Sequence, residues 1–180
     1  MRNAEGSNKD AADKLNTVDN VQVIDIDVTD DRSVSDGVAS AIDKLGGLDV
    51  IVNNAGIMNM GVPETFTAAD VSKIFEINTV GPARVINAAL PHLRKKKSGL
   101  IINISSVVGA LPMAFAGAYS GSKAALEVIS DDYAATLAGT GIGSVVLEPG
   151  AYPTTRLQEN FVTPSNGELM ADYPGATAEL

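Results

Sequence analysis

Short apolar runs alternate along the chain with segments of helical spacing. Each run is rich in Val and Ile and lies between polar or turn residues, which is typical of strands buried on both faces of a parallel sheet. The predicted strands are residues 21–27, 48–54, 100–104 and 143–147.

The segments between these runs carry apolar residues every three or four positions, as amphipathic helices do. The predicted helices are Asp31–Leu45, then Ala68–Phe75 continuing through a bend into 82–97, and finally 119–137. This alternation of strand and helix predicts an α/β fold with a doubly wound parallel sheet. Beyond residue 151 the pattern is interrupted by Pro and Gly, which predicts a loop with one short helix.

Length, charge and cysteine content exclude several classes of protein. The 180 residues fit one domain, since domains run to roughly 100–200 residues. The 22 acidic and 13 basic residues give a net charge of −9, which argues against a nucleic-acid surface. Because the chain has no cysteine, disulfides, thiolate catalysis and cysteine-ligated metal sites are excluded. No apolar stretch approaches the roughly 20 residues of a membrane span, so we expect a cytoplasmic protein with no membrane partner.

Tyr119 and Lys123 are the sharpest candidates for chemistry. A spacing of four residues places both side chains on one face of the predicted helix. A phenol has an ordinary pKa near 10, and a neighbouring cation favours the phenolate, so Lys123 is expected to lower the pKa of Tyr119. Tyr119 could then exchange a proton with an alcohol or carbonyl oxygen. The alternative is a surface contact between two helix residues.

Ser106 follows the predicted strand 100–104 and precedes Tyr119 by 13 residues. Ligands bind beyond the carboxyl ends of the strands in open α/β sheets, so its hydroxyl could hold a substrate oxygen beside the phenol. Other strand ends also carry small or polar residues, which let a ligand approach the backbone or tie neighbouring strands together. These are Asp27-Val28, Asn53-Asn54-Ala55-Gly56 and Pro149-Gly150. Each could instead be an ordinary helix cap or turn.

Taken together, these segments resemble the classical short-chain dehydrogenase/reductase (SDR) family over about residues 1–160. The resemblance implies a Rossmann-like sheet, a nicotinamide cofactor and hydride transfer between NAD(P) and a carbonyl or alcohol. The matching pieces occur in the family's order, with 28 residues from Asn78 to Ser106. They are Asp27-Val28, Asn53–Gly56, Asn78, Asn103–Ser106, Tyr119-x-x-x-Lys123, and Pro149-Gly150 with Thr154.

The family implies a role for each matching residue. Tyr119 would be the general acid/base, Ser106 would polarise the substrate oxygen, and Lys123 would lower the phenol pKa and hold the nicotinamide ribose. Asn78, at a helix bend, would hold a water in a proton relay to Lys123. The implied cofactor-binding residues are Asp27 and Val28 at the adenine, Asn54, Ala55 and Gly56 along the cleft, Tyr119 and Lys123, and Pro149, Gly150 and Thr154 beside the nicotinamide amide.

The family's glycine-rich cofactor loop, T-G-x-x-x-G-x-G, has no counterpart in these 180 residues. We therefore expect residues 1–180 to be one partial NAD(P)-binding domain, lacking two central strands and ending within a partial substrate loop at 151–180. Without those strands, we expect either a split sheet or a third strand displaced toward the fourth. A chain that binds a nicotinamide cofactor only after an upstream segment is restored would support this reading.

Further expectations concern cofactor, partners and rival functions. Arg2, just after what resembles the family's second strand, favours NADP over NAD, although a solvated arginine is the plain alternative. The substrate would be a small carbonyl or alcohol compound, with Met58, Met60, Met113 and Phe115 lining its pocket or packing in the core. The family's homodimer or homotetramer would form through helices 82–97 and 119–137. A non-catalytic SDR-derived binding protein and a flavodoxin-like module are the rival readings.

Overall fold

Three parallel strands form the sheet in the computed structural model, which describes residues 2–152 and 161–176. The strands are β1 (Val50–Asn53), β2 (Gly99–Ile104) and β3 (Ile142–Leu147). β2 lies in the middle and pairs in parallel with both neighbours. The predicted α/β class and parallel sheet are therefore confirmed, and three of the four predicted strands form.

Capping residues mark the starts of two helices, α2 (Asp31–Leu45) and α3 (Ala68–Phe75). α2 starts after Asp30, whose carboxylate accepts the Ser33 N–H at 2.6 Å, and ends at Gly46 in the left-handed conformation that glycine tolerates best. Thr67 and Asp70 form a capping box at the start of α3. The α-helices are α1 (Lys9–Asn16), α2 (Asp31–Leu45), α3 (Ala68–Phe75), α4 (Gly81–Lys96), α5 (Val107–Ala110) and α6 (Gly117–Thr136), with 3₁₀ turns at Pro63–Thr65 and Gly167–Asp172.

The predicted bend between the third and fourth helices is a π-helical segment, Glu76–Val80, which joins α3 to α4 without a break. Such wider turns displace the residues they contain from regular helical positions and are frequent at functional sites. The segment holds Asn78, whose side chain is fully buried.

One face of the sheet carries the core. α2, α4 and α6 cover it, and Val34, Ile86, Leu93 and Ile101 are at most 1% exposed there. Each such side chain contributes about 1.5–3 kcal/mol by leaving water. The register places Ile51 of β1 beside Ile101 of β2, so both point into this layer.

The opposite face of the sheet is apolar but exposed. Val50, Val52 and Leu147 are 50%, 55% and 50% accessible. The parallel register puts Val52, Ile102 and Val145 side by side on this face. Among the described residues, the helices thus protect only one side of the strands.

The predicted strand at residues 21–27 does not form, and this prediction was wrong. The segment joins no ladder, because no described strand lies alongside to exchange backbone hydrogen bonds with it. It is held through side chains instead: Asp25 accepts the Asn3 and Ala4 N–H groups at 2.9 and 3.0 Å, and the Asp27 N–H donates to Ser33. Neither arrangement expected for a third strand is therefore present among the described residues, and β1 forms the edge of the sheet.

The last described segment contains the short helix predicted beyond residue 151. Ser165 donates to Asp70, and Tyr173 donates to Glu64, so this segment rests on the start of α3 and the turn before it. In the described part of the chain, no helix is both long and apolar enough to cross a membrane.

Candidate active site

Ser106 lies just beyond the carboxyl end of β2. The Ser105 N–H donates to the Leu147 carbonyl at 2.7 Å and extends the pairing of β2 with β3 by one step. Ser106 then caps α5, with its hydroxyl accepting the Val108 N–H at 3.4 Å. The same hydroxyl lies beside the phenol of Tyr119 and lowers its pKa. The pairing of β2 with β3 and the start of α5 thus position Ser106 at the edge where ligands bind in parallel sheets.

α6 brings Tyr119 and Lys123 together one turn apart, on the face expected from their spacing. Both are buried, at 6% and 4% exposure, and the Lys123 ammonium lies 5.8 Å from the centre of the Tyr119 ring. The ammonium donates to the Ile104 carbonyl at 2.7 Å. The end of β2 and one face of α6 therefore enclose a phenol, a hydroxyl and an ammonium group.

The pKa of Tyr119 moves in the direction opposite to the one expected. Burial disfavours the phenolate and raises the pKa above its ordinary value, while the hydrogen bond to Ser106 lowers it and only partly offsets burial. The Lys123 ammonium is directed at the Ile104 carbonyl, and its expected lowering of the phenol pKa is not the net effect. At neutral pH the phenol carries its proton.

Lys123 itself is strongly perturbed. Burial lowers the pKa of its ammonium to about 8, and the Glu127 carboxylate one turn further along α6 acts in the opposite direction. Glu127 also accepts a hydrogen bond from Ser105. This carboxylate therefore links the strand end to the helix that carries Tyr119 and Lys123.

Replacing Lys123 by Met is expected to remove a pH dependence of stability. Between pH 8 and 10.5 the unfolded chain binds a proton that the folded chain lacks, so the stability of the wild type rises with pH across this window. The wild type should gain roughly 2 kcal/mol relative to Lys123→Met between about pH 7 and pH 10. Urea unfolding at the two pH values measures the difference.

Lys73→Met is the matched control, because Lys73 is exposed on α3. The stability of Lys73→Met should change between the two pH values by the same amount as that of the wild type. If the stabilities of the wild type and Lys123→Met changed equally with pH, folding would not lower the pKa of Lys123.

Asn78 closes the site from the π-helical segment. Its side-chain oxygen accepts the Ile57 N–H at 2.9 Å, and its NH₂ group donates to the Ile57 carbonyl at 2.8 Å and to the Ser122 hydroxyl at 2.9 Å. The amide thus joins the loop after β1 to α6. Its expected part in a water relay to Lys123 stays a prediction.

A cleft of about 480 Å³ opens beside β1, and the residues predicted for the adenine end and the cofactor cleft share its lining. They are Arg2, Asp27, Val28, Asn54, Ala55 and Gly56. Hydrogen bonds from the Thr29 hydroxyl and N–H lower the pKa of Asp27, with a smaller contribution from the charge of Arg2. The cleft therefore holds an ionised carboxylate near a cation.

Gly56 joins this cleft to the buried centre. A Cβ atom added at Gly56 would lie 3.5 Å from the Asn78 side-chain oxygen and 3.6 Å from the Lys123 ammonium. The missing side chain leaves room for a ligand to reach the backbone between these two groups. Gly56 thus lies where the cleft meets the groups around Lys123.

The remaining predicted cofactor residues follow β3. The Pro149 carbonyl accepts the Val107 N–H at 3.2 Å, which fixes Pro149 beside the start of α5. Gly150 is exposed, with nothing within 4 Å of the position that a Cβ would take. Thr154 lies outside the described residues.

A buried polar chain runs behind the site, in which Asn53 ties neighbouring strands as expected, through partners that were not assigned from the sequence. The Asn53 NH₂ group donates to the Asn103 oxygen at 2.8 Å, and the Asn103 NH₂ group donates to the Ser130 hydroxyl at 2.9 Å. These contacts tie β1 to β2 and β2 to α6. Two asparagines opposite each other in predicted buried strands were the available signal, because buried amides require partners.

The sulfur-containing and aromatic residues predicted for a substrate pocket separate into two groups. Met58 packs with Ala116 against the Tyr119 ring, and Met60 is partly buried beside it. Met113 is 40% exposed. Met58 thus belongs to the wall that holds Tyr119, and a substrate role for the others stays a prediction.

Known proteins with similar sequences are dehydrogenases and reductases. The short chain dehydrogenase family matches residues 1–165. An uncharacterised oxidoreductase of Schizosaccharomyces pombe is 32% identical over 92% of this chain and 69% of its own length. A 3-ketodihydrosphingosine reductase of Bacteroides thetaiotaomicron is 36% identical over 74% of this chain and 50% of its own length.

Solved structures agree with the sequence matches. A short-chain dehydrogenase from Streptomyces avermitilis superposes with a TM-score of 0.78 at 33% identity, covering 94% of this chain and 66% of that chain. A gluconate 5-dehydrogenase from Burkholderia cenocepacia, solved with NADP and tartrate, gives 0.77 at 26% identity, covering 88% and 62%. The chain thus spans 50–69% of the length of these four proteins. With its motifs, its parallel sheet and this match over residues 1–165, the chain belongs to the short-chain dehydrogenase family.

Proposed function

We propose that this protein is an NAD(P)-dependent oxidoreductase that interconverts a carbonyl and an alcohol, with Ser106, Tyr119 and Lys123 at its centre. The observation that carries the proposal is the buried Tyr119 side chain at the carboxyl end of β2, with the Ser106 hydroxyl beside its phenol and the Lys123 ammonium 5.8 Å from the centre of its ring. A buried phenol, hydroxyl and ammonium together can orient a carbonyl oxygen and supply it with a proton.

A protonated phenol is the form that reduction of a carbonyl requires. Because burial keeps the proton on Tyr119 at neutral pH, the phenol can donate it to a substrate oxygen that gains negative charge. Ser106 would hold that oxygen by donating a second hydrogen bond. Lys123 would stabilise the phenolate left behind, since its ammonium is the nearest cation along the same helix face.

The cofactor would lie in the cleft beside β1. Asp27 and Val28 would meet the adenine end, Asn54, Ala55 and Gly56 would line the path, and Lys123 would hold the nicotinamide ribose, with Pro149, Gly150 and Thr154 beyond it. When bound, the nicotinamide supplies or accepts the hydride, and the protein supplies orientation and proton transfer. Arg2 lines the cleft and supports a preference for NADP over NAD, since an exposed guanidinium can bind a 2′-phosphate.

The partners would be a small carbonyl or alcohol compound and, through α4 and α6, further copies of the chain. Small residues on α6, among them Gly121, Ala124 and Ala125, would allow close approach of a second helix. The comparison proteins reduce or oxidise different compounds, as their names state, so the class of reaction is proposed without a named substrate.

Cofactor binding is the direct test. The chain has no tryptophan, so the fluorescence of added NADPH or NADH can be followed without interference from protein emission. We expect saturable binding that is tighter for NADPH, and loss of absorbance at 340 nm when short aldehydes and cyclic ketones are added. Absence of both binding and turnover with either cofactor, in this chain and in one that also carries the family's glycine-rich loop, would contradict the proposal.

A Gly56→Val variant tests where the cofactor binds. Its side chain would occupy the space between Asn78 and Lys123, and we expect NADPH affinity to fall at least about tenfold with little change in unfolding by urea. Gly167→Val adds the same atoms at an exposed position with nothing within 4 Å, and should bind like the wild type. Equal NADPH affinity in the two variants would mean that the cofactor does not bind beside Gly56.

A further inference from the structure

α6 carries Tyr119 in its first turn, and this turn lacks a cap of its own. The residue before the helix is Ala116, which has no side-chain acceptor. The first N–H groups of any helix have no intrahelical partner, and a turn without a cap frays. Tyr119 is the third helical residue, so its N–H is one that a conventional cap would satisfy.

Asn59 supplies the missing acceptor from a distant part of the chain. Its side-chain oxygen accepts the Tyr119 N–H at 2.9 Å across a sequence separation of 60 residues. Asn59 is 3% exposed, so water does not readily replace this contact. The position follows β1, within the loop that begins at the predicted cofactor residues Asn54, Ala55 and Gly56.

The neighbours of Asn59 fix this loop against the start of α6. Met58 packs on Ala116 and on the Tyr119 ring, and the Gly61 N–H donates to the Phe115 carbonyl at 2.8 Å. Contacts on both sides of Asn59 thus hold its side chain opposite the Tyr119 backbone. The Asn59 side-chain oxygen is therefore held in one position, where it accepts the Tyr119 N–H.

We propose that Asn59 is a positioning residue: it caps the first turn of α6 in place of Ala116 and thereby holds the Tyr119 phenol against Ser106. A displacement of about 1 Å in a reacting group can cost on the order of 100-fold in rate. The effect on turnover rests on the proposed function, whereas the hydrogen bond and the position of the phenol do not.

Three variants of the full chain test this inference. Asn59→Leu removes the acceptor at similar volume. Asn59→Asp keeps an oxygen acceptor, and a carboxylate is favourable at a helix N-terminus. Asp30→Leu is the control, because it removes the side chain that caps α2 and leaves α6 untouched.

The first measurement is hydrogen exchange of the Tyr119 amide. We expect Asn59→Leu to speed this exchange at least about tenfold relative to amides later in α6, and Asn59→Asp to restore slow exchange. The second is the titration of the Tyr119 phenol, observed by NMR of ring-labelled tyrosine. In Asn59→Leu the pKa should fall back toward its ordinary value as burial is lost, and Asp30→Leu should leave it unchanged.

The third measurement is turnover with NADPH. We expect Asn59→Leu to lower kcat by about 10–100-fold with KM for the cofactor nearly unchanged, and Asn59→Asp to recover part of it. Unchanged amide exchange and unchanged phenol titration in Asn59→Leu would overturn the inference. Faster exchange and a shifted phenol with no turnover in any variant, wild type included, would uphold Asn59 and contradict the proposed function.

Discussion

Tyr119→Phe is expected to reduce kcat/KM for carbonyl reduction by about 10²–10⁴-fold, the usual contribution of a positioned general acid. The change removes the phenol oxygen that we propose as the proton donor and leaves the buried ring that packs against Met58 and Ala116. NADPH affinity and the urea midpoint should therefore remain close to those of the wild type. Steady-state kinetics at 340 nm and a cofactor titration measure the two effects separately.

Tyr133→Phe is the control for the same atomic change on the same helix. Its hydroxyl donates to Asn87, at the surface and away from Ser106 and Lys123. We expect unchanged kinetics in this variant. If Tyr119→Phe retained wild-type activity, Tyr119 would not be the acid, and the proposed mechanism would be wrong.

Asn78→Leu is expected to destabilise the chain by about 3–5 kcal/mol, because a buried group left without its partner costs about 1–3 kcal/mol. The variant loses three hydrogen bonds and leaves both the N–H and the carbonyl of Ile57 without their partner. The loop that carries Gly56 and Ile57 should also loosen, so NADPH affinity should fall. Urea unfolding and the fluorescence titration give the two quantities.

Asn87→Leu provides the matched comparison on α4. Asn87 is exposed and accepts one hydrogen bond from Tyr133, so its loss should cost less than about 1 kcal/mol. Similar losses in the two variants would mean that the buried contacts of Asn78 do not hold the loop after β1.

The sequence predicted the elements whose causes are local. α2 begins and ends as expected, because Asp30 and Gly46 are adjacent in sequence to the turns they stabilise. Tyr119 and Lys123 share a face because four residues are about one helical turn. The three paired strands were visible as continuous apolar runs, which are typical of parallel sheets.

Other features needed contacts between distant residues. The run at 21–27 has the composition of a strand, yet a strand exists only where a neighbouring backbone pairs with it, and no described strand does so. Asn59 reads as an ordinary loop residue until the fold brings it to the Tyr119 N–H. Asn53 and Asn103 likewise meet only through the register of β1 and β2.

The charges at the site were also predictable only in part from the sequence. The residues alone determined that a phenol and an ammonium would lie one helical turn apart, and that pairing predicted a lowered phenol pKa. Only the tertiary structure decided the sign, because it buries Tyr119 and directs Lys123 to the Ile104 carbonyl. Desolvation depends on everything packed around a group, whereas helical spacing depends on the chain alone, so the sequence identified the candidate side chains and the fold decided their protonation.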